Sequence, residues 1–384
     1  MAEVFVAGIG TVPVGEHWEK SLANLSAKAI LAALRDAGDI RPDALYVGNL
    51  LASAASEQTN LAALVADNVA LTGVEAYTVE AGEASGAAAF RQGYLAIKSG
   101  YVSATLVVGV EKYTDVVGPD AEEMVARTAD YDFEALNGQT PAGQAALLMR
   151  RYVHEYGAPR EAFGILPRLA HSNAVGNPDA MYRRPLAEET YASAPVIADP
   201  LNLYDAAPYA DGATAVLLVG DDEAKKLAHK PVRVAASSAA VDALALHDRP
   251  DPLAFSAARL SARQAFLSAG MDWEDIDLFE PWDAFSVYAL LSVEACGLAP
   301  RGQGWRWLEE TDISNEGQFP MLTMGGNKAR GFPLGAAGVY QVAEAVEQLR
   351  GNVGVNQVPG AKTALVQALG GPAATAITHI LSIN

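Results

Sequence analysis

Residues 79–90 read VEAGEASGAAAF and residues 104–110 read ATLVVGV. The second run is an uninterrupted apolar strand, and the first is a turn of small residues, Ala81–Gly86, that opens a helix reaching about Ser99. Tyr77–Val79 enters the turn as a strand. The same device returns near the C-terminus, where GGNKARGFPLGAAG (325–338) opens a helix running to about Leu349 and KTALVQAL (362–369) carries the strand Thr363–Leu369. A strand–turn–helix unit used twice points to two similar layered halves packed face to face, although any α/β chain shows turns of this kind. No short-period solenoid repeat is visible.

On either side of the first unit, strands and helices alternate. Val4–Ile9 is a buried strand ended by Gly10, Ser21–Ala37 is a helix stopped by Gly38, Ala44–Val47 is a strand and Leu61–Leu71 a helix. This order predicts parallel pairing. From Thr114 to Pro200 the composition changes: more charge, helices at Ala142–Tyr156 and Arg160–Asn173, and a turn-rich run from Asn177 to Ala198. We read 114–200 as an insertion over one end of the sheet, a candidate lid or substrate platform. Ala213–Val219 is again a strand, and the charged stretch Asp221–Pro231 is the best linker, dividing the chain into 1–225 and 231–384. Beyond it come strand Val232–Ala236, helix Leu253–Ala269, strand Ile276–Phe279, helix Asp283–Cys296 and a final strand Ala373–Leu381.

The 384 residues are 51% hydrophobic and only 19% charged, which excludes a disordered chain and suits extensive protein–protein burial. A net charge of −19 repels nucleic-acid phosphates and anionic membrane surfaces, so neither is an expected partner. Cys296, the single cysteine, permits no intrachain disulfide and no cysteine-based metal site; no metal is expected. With no signal-like start and no apolar window of about 18 residues, a soluble, cytoplasmic, oligomeric protein is expected.

The chain resembles the thiolase superfamily, in the branch of the sterol-carrier-protein-like and lipid-transfer-protein-like thiolases. The resemblance rests on DALYVGNLLA (43–52), VEAGEASGAAAFRQGYLAIKSG (79–100), LVVGVEKYTD (106–115), LLMRRYVHEYG (147–157), AHSNAVGNPDAMYRRPL (170–186) and VIADPLNLYDAAPYADGATAVLLV (196–219). In the second half it rests on LFEPWDAFSVYALLSVEACGLAPRG (278–302), GGNKARGFPLGAAGVYQVAEAVEQLRG (325–351) and VPGAKTALVQALGG (358–371). It implies a duplicated five-layer αβαβα fold with an inserted loop domain, acyl-CoA chemistry and a tight dimer. It further implies a homodimer or a heteromer with another thiolase-like chain, or a small OB-fold, zinc-ribbon partner.

The family's catalytic cysteine lies in a C-A-S-G turn, and here that turn reads Glu83-Ala84-Ser85-Gly86. The histidine of the H-D-A-F motif is Trp282, that of G-H-P is Phe332, and the H-N-x-G-G motif reads Gln367-Ala368-Leu369-Gly370-Gly371. The turn typically reading N-P-S-G-G is Leu322-Thr323-Met324-Gly325-Gly326. A carboxylate is a poor acyl acceptor from a thioester and no imidazole remains at these positions, so standard thiolysis is not expected. Glu83 caps its own helix, transfers protons in non-thiolytic acyl-CoA chemistry, or fills a retired pocket. Trp282 and Phe332 favour a filled site. Asp283, Tyr288 and Tyr340 lie close by in sequence and are candidates for a carboxylate or hydroxyl in the pocket. Arg183, Arg184 and Lys328, with the Gly325-Gly326 turn, are candidates for meeting CoA phosphates. Two functions follow: a non-thiolytic or scaffold subunit of a thiolase-type complex, or a divergent acyl-CoA lyase or aldolase using Glu83. An acyl-CoA acyltransferase is implied by resemblance alone.

Overall fold

The computed structural model describes residues 2–38, 40–116 and 118–383. Nine strands build the main sheet: β1 (Val4–Thr11), β2 (Ala44–Gly48), β3 (Glu75–Val79), β4 (Ala104–Glu111), β5 (Gly212–Gly220), β6 (Val232–Val241), β7 (Leu278–Glu280), β8 (Thr363–Gly370) and β9 (Thr375–Ser382). The helices that matter here are α1 (Leu22–Asp36), α2 (Leu61–Asn68), α3 (Ser85–Lys98), α4 (Pro119–Ala126), α5 (Pro141–Tyr156), α6 (Ile165–Ala174), α7 (Ser256–Ala269), α8 (Ser286–Ala295) and α9 (Ala337–Arg350).

The strand order β3-β2-β4-β5-β1-β6-β9-β8-β7 carries a duplication. Read outward from the middle, the first half places its first, fifth, fourth, second and third strands in turn. The second half repeats this with β6, β9, β8 and β7, and its third member is reduced to a bridge between Phe279 and Met321. The halves meet through the pairs Phe5–Arg233 and Val6–Val232. Helix α9 touches strands of both halves and packs on α3, so the two form a middle layer, while α1 and α2 cover one outer face and α7 the other. The layers run α, β, α, β, α.

Among the described strand pairs of the main sheet, β2 with β3, β2 with β4, and β8 with β7 are parallel and the others antiparallel. The parallel pairing expected of the strands up to Val110 holds for β2 with β3 and with β4, whereas β1 and β4 each pair antiparallel with β5. The chain leaves β4 at Glu111, makes the long excursion over that end, and re-enters at Gly212 directly opposite, in antiparallel register. β8 and β9 form a hairpin for the same reason.

Several helices start later than their hydrophobic pattern suggests. The run 160–173 is a 3₁₀ turn, Arg160–Gly164, followed by α6. The helix expected from Leu253 starts at Ser256, behind Phe255 at φ +41°. The one expected from Asp283 starts at Ser286, and the 325–338 glycine segment forms a π turn and a 3₁₀ turn before α9 begins. Asp221–Ala224, inside the expected linker, is a short helix.

Two buried carboxylates fasten the end of the sheet where the excursion begins. Glu111 accepts from the N–H groups of Leu50 (2.9 Å), Leu51 (2.9 Å) and Gly335 (3.1 Å) and from Asn49 Nδ2 (2.8 Å), tying β4 to the second half. Asp211 accepts from the N–H groups of Tyr113, Thr114 and His17 and from the Thr114 hydroxyl, which closes the two ends of the excursion on each other. Hydrogen bonds to a carboxylate are the stronger kind, and these hold loops around the site with little freedom.

Candidate active site

The turn after β3 is held by Ser85, whose hydroxyl accepts from Ala81 N–H at 3.0 Å and donates to Gly82 O. Gly82 takes φ +61°, a conformation natural to glycine. Glu83 follows and is 7% exposed. It does not cap α3, whose cap residue Ala84 makes no side-chain hydrogen bond. Instead the Glu83 carboxylate reaches across the molecule. Oε2 accepts from Gly371 N–H at 2.6 Å, and Oε1 from the Thr128 hydroxyl at 3.3 Å. Gly371, at φ +59°, sits in the β8–β9 turn of the second half, so both turns and the insertion converge on one carboxylate.

Glu83 opens onto a cavity of about 400 Å³ lined also by Trp282, Phe332, Tyr288, Tyr209 and Glu122. Trp282 and Phe332 meet edge to face with ring centroids 5.5 Å apart. They wall the space and do not fill it, contrary to the filled pocket expected of them. Ala206, Ala207 and Tyr209 also line it, and their segment is stitched in place by backbone bonds: Ala207 N–H to Ala284 O (2.8 Å), Phe332 N–H to Pro208 O (2.9 Å) and Ala210 N–H to Phe332 O (3.2 Å).

Burial pushes the Glu83 pKa up, against the lowering effect of its hydrogen bonds. The Tyr209 phenol is pushed well above its ordinary value by burial and by the nearby carboxylates of Glu122 and Glu83; Glu122 itself is raised by burial. Tyr288 is raised by burial and by the charge of Glu83. The arrangement offers two carboxyl groups of raised basicity, Glu83 and Glu122, and two phenols, Tyr209 and Tyr288, that stay protonated as donors. None of the residues lining this cavity is a cysteine, histidine, lysine or arginine. Cys296 is buried elsewhere, with Gln367 Nε2 donating to its sulfur at 3.2 Å and burial pushing its pKa up to about 12.

Of the expected site residues, the structure brings together Glu83, Trp282, Phe332 and Tyr288. It corrects two others. Asp283 is fully buried and accepts from the N–H groups of Asn327 (2.7 Å) and Lys328 (3.2 Å), so it anchors a turn and does not line the cavity. Tyr340 donates to Val12 O (2.6 Å) and lies close to Ala213 O (3.0 Å), away from Glu83, because α9 presents it to β1 and β5. Tyr209, Glu122 and Thr128 were not found from sequence. Tyr209 lies within a quoted motif, but nothing in the chain order signals that it meets α4.

A second cavity of about 620 Å³ holds Arg183, Arg184 and Lys328 together with His171, Tyr182 and Tyr204. It shares Leu203, Ala206 and Ala207 with the first, so the two adjoin. Lys328 donates to Asp205 O at 2.6 Å, and burial lowers its pKa to about 8. Gly325 and Gly326 do not line either cavity. They pack against Ala174 and Asp283 at positive φ and shape the turn that delivers Lys328. Among the described residues no group of three or more His, Cys, Asp or Glu is placed to hold a metal ion.

A doubled strand–turn–helix frame with its site where the two turns meet is a thiolase arrangement, and the sequence agrees. Residues 4–222 match the family described as "Thiolase, N-terminal domain" and residues 238–383 the one described as "Thiolase C-terminal domain-like", so the chain belongs to the thiolase family. It is 40% identical to the acetyl-CoA acetyltransferase of Methanothermobacter thermautotrophicus, over 100% of both chains. It is 30% identical to the benzoylsuccinyl-CoA thiolase subunit BbsB of Thauera aromatica, over 93% of this chain and 90% of that one. Among solved structures it superposes on the Ltp2-ChsH2(DUF35) aldolase with a TM-score of 0.87 and 25% identity, covering 99% of this chain and 97% of that one.

Proposed function

We propose that this chain acts on coenzyme A thioesters as a carbon–carbon lyase of the aldolase type, with Glu83 moving the proton, and that it does not carry out thiolysis. The observation that carries this is Glu83 itself: a buried carboxyl group of raised pKa, held at 2.6 Å by Gly371 N–H, on the wall of an open cavity without sulfur or imidazole. Thiolysis needs a nucleophile that accepts an acyl group, for which a carboxylate is poorly suited. Retro-aldol cleavage needs none.

In a 3-hydroxyacyl thioester the Glu83 carboxylate takes the hydroxyl proton. The C2–C3 bond breaks, its electron pair passes into the thioester enolate, and C3 leaves as an aldehyde or ketone. The proton returned by Glu83 to C2 gives the shorter acyl thioester, so one carboxyl group balances both transfers. Desolvation strengthens it as a base. Tyr209 and Tyr288 remain protonated donors suited to the enolate oxygen. Arg183, Arg184 and Lys328 in the adjoining cavity suit the CoA phosphates of an otherwise acidic protein.

The purified chain is expected to split a 3-hydroxyacyl-CoA into a carbonyl compound and a shorter acyl-CoA. Glu83→Ala and Glu83→Gln should both lower kcat by about 100-fold or more while CoA binding persists. Turnover that survives Glu83→Gln but not Glu83→Ala would remove the proton transfer from Glu83, and thiolysis of a 3-ketoacyl-CoA by the chain alone would overturn the proposal.

A second reading, a scaffold subunit, is supported by exposed apolar side chains of Phe133, Leu136 and Leu147 and by the subunit named in one relative. It predicts no turnover by the chain alone, with activity appearing when another thiolase-like chain or an OB-fold, zinc-ribbon protein is added.

A further inference from the structure

Glu83 is held by two partners of different kinds, and the difference decides which of its oxygens reacts. Gly371 N–H meets Oε2 at 2.6 Å and can only donate, so Oε2 remains an acceptor whatever the charge of the group. A proton on Glu83 therefore belongs on Oε1. The partner there is the Thr128 hydroxyl, at 3.3 Å, which can donate or accept. Its single proton has two places to go, because Val125 O lies 2.8 Å from the same hydroxyl oxygen. Directed at Glu83, the hydroxyl serves a carboxylate. Directed at Val125 O, it turns a lone pair to Oε1 and serves a carboxylic acid. Val125 O does not depend on it, since it also accepts from Thr128 N–H at 3.0 Å.

Thr128 is fixed in place from the other side. A Cβ on Gly371 would lie 2.6 Å from Thr128 O, so the residue is pressed against the very turn that supplies the second partner. Among the described residues Thr128 is the one side chain hydrogen-bonded to Glu83. The titratable groups around the same carboxyl are Glu122 from α4, Tyr209, Tyr288 from α8 and Glu80 from its own turn, and no cation lines the cavity. We infer that Thr128 is a positioning residue whose hydroxyl turns with the charge of Glu83, donating to the carboxylate that acts as base and accepting from the acid that returns the proton. This deepens the lyase reading above and rests on it for the order of the two transfers. The proton taken from the substrate hydroxyl stays on Oε1, with Thr128 as its acceptor, until C2 receives it. The Thr128 hydroxyl rotates and neither gains nor loses a proton.

Infrared spectroscopy over the pH range in which the chain stays folded tests this, with Glu83→Gln identifying the carboxyl band. In Thr128→Val the Glu83 midpoint should rise by about 0.7 of a pH unit, because a hydrogen bond to a charged group outweighs one to a neutral group. The C=O stretch of the protonated form should shift as well, because the acid has lost its acceptor. Thr128→Ala should give the same two changes, and Thr128→Ser, which retains the hydroxyl, should reproduce the parent in both. On a 3-hydroxyacyl-CoA the low-pH limb of kcat/KM should move up with the midpoint. An unchanged midpoint, an unchanged stretch, a serine variant that behaves like the valine one, a limb that stays put, or a Glu83 that keeps one charge across the whole range would overturn the assignment. Absence of cleavage by the parent chain would overturn the lyase reading and the order of transfers, whereas the two spectral changes decide the Thr128 hydrogen bond whether or not the chain cleaves.

Discussion

Buried carboxylates recur in this chain, and each is held differently. Glu83 has two donors, Glu111 four, while Glu280 receives both of its donors, the N–H and hydroxyl of Thr323, on Oε1 and leaves Oε2 without a partner. Burial pushes the Glu280 pKa up to about 8 from 4.5, with the neighbouring Glu344 adding to it and Arg330 opposing. The folded state therefore prefers the protonated form. Its contribution to stability is full below about pH 4.5 and is lost as pH rises through about 8. Glu280→Gln retains an acceptor for Thr323 and does not ionise. Its chemical-denaturation stability should fall less than the parent's between pH 5 and 9, by on the order of a few kcal/mol. Parallel curves for the two proteins would show that Glu280 is not the group responsible.

Among elements, the packing of α3 on α9 is the most demanding. A Cβ at Gly86 would lie 2.7 Å from Gly335 O and 2.8 Å from Val339 Cγ2, and a Cβ on Gly48 of β2 would lie 2.5 Å from the Cα of Gly86. The helix that follows the Glu83 turn is thus pressed between a strand and the start of the opposite helix with no room for a methyl group. Gly86→Ala should destabilise the fold by about 2–3 kcal/mol and lower Tm by several degrees, because backbone has to move. The small-residue composition of both turns was legible in the sequence, but its reason was not. Side chains are excluded by an approach between segments nearly 250 residues apart, which local pattern cannot show.

For the whole molecule, charge is separated. A chain of net charge −19 places Arg183, Arg184 and Lys328 around one cavity and only carboxylates around the next. On the acyl-CoA reading proposed above, the polyanionic end of CoA would lie at the cationic cavity and the acyl end at the other. CoA affinity should fall about tenfold in an Arg183→Ala, Arg184→Ala double variant and weaken as salt rises. It should also decline as pH rises through about 8, where Lys328 loses its proton; Lys328→Ala should remove that dependence. Calorimetry at three salt concentrations and from pH 7 to 9 checks both. Among the described residues no helix is long and apolar enough to cross a membrane.

The layered α/β class, the duplication and most strand positions followed from the sequence, because apolar runs and small-residue turns are local signals. Motif correspondence pointed to Glu83, Trp282 and Phe332 as one group, whereas Tyr288 was a candidate only by its closeness in sequence, as Asp283 and Tyr340 were. Tertiary structure alone decided the rest. It turned the β4–β5 pair antiparallel, because the excursion returns at the end where it left. It assigned Asp283 and Tyr340 to anchoring bonds, because α9 and the 326–330 turn are rotated toward the core. It brought Tyr209, Glu122 and Gln144 to the cavity, because those contacts are made between elements distant in the chain, and no spacing along the sequence encodes which faces meet.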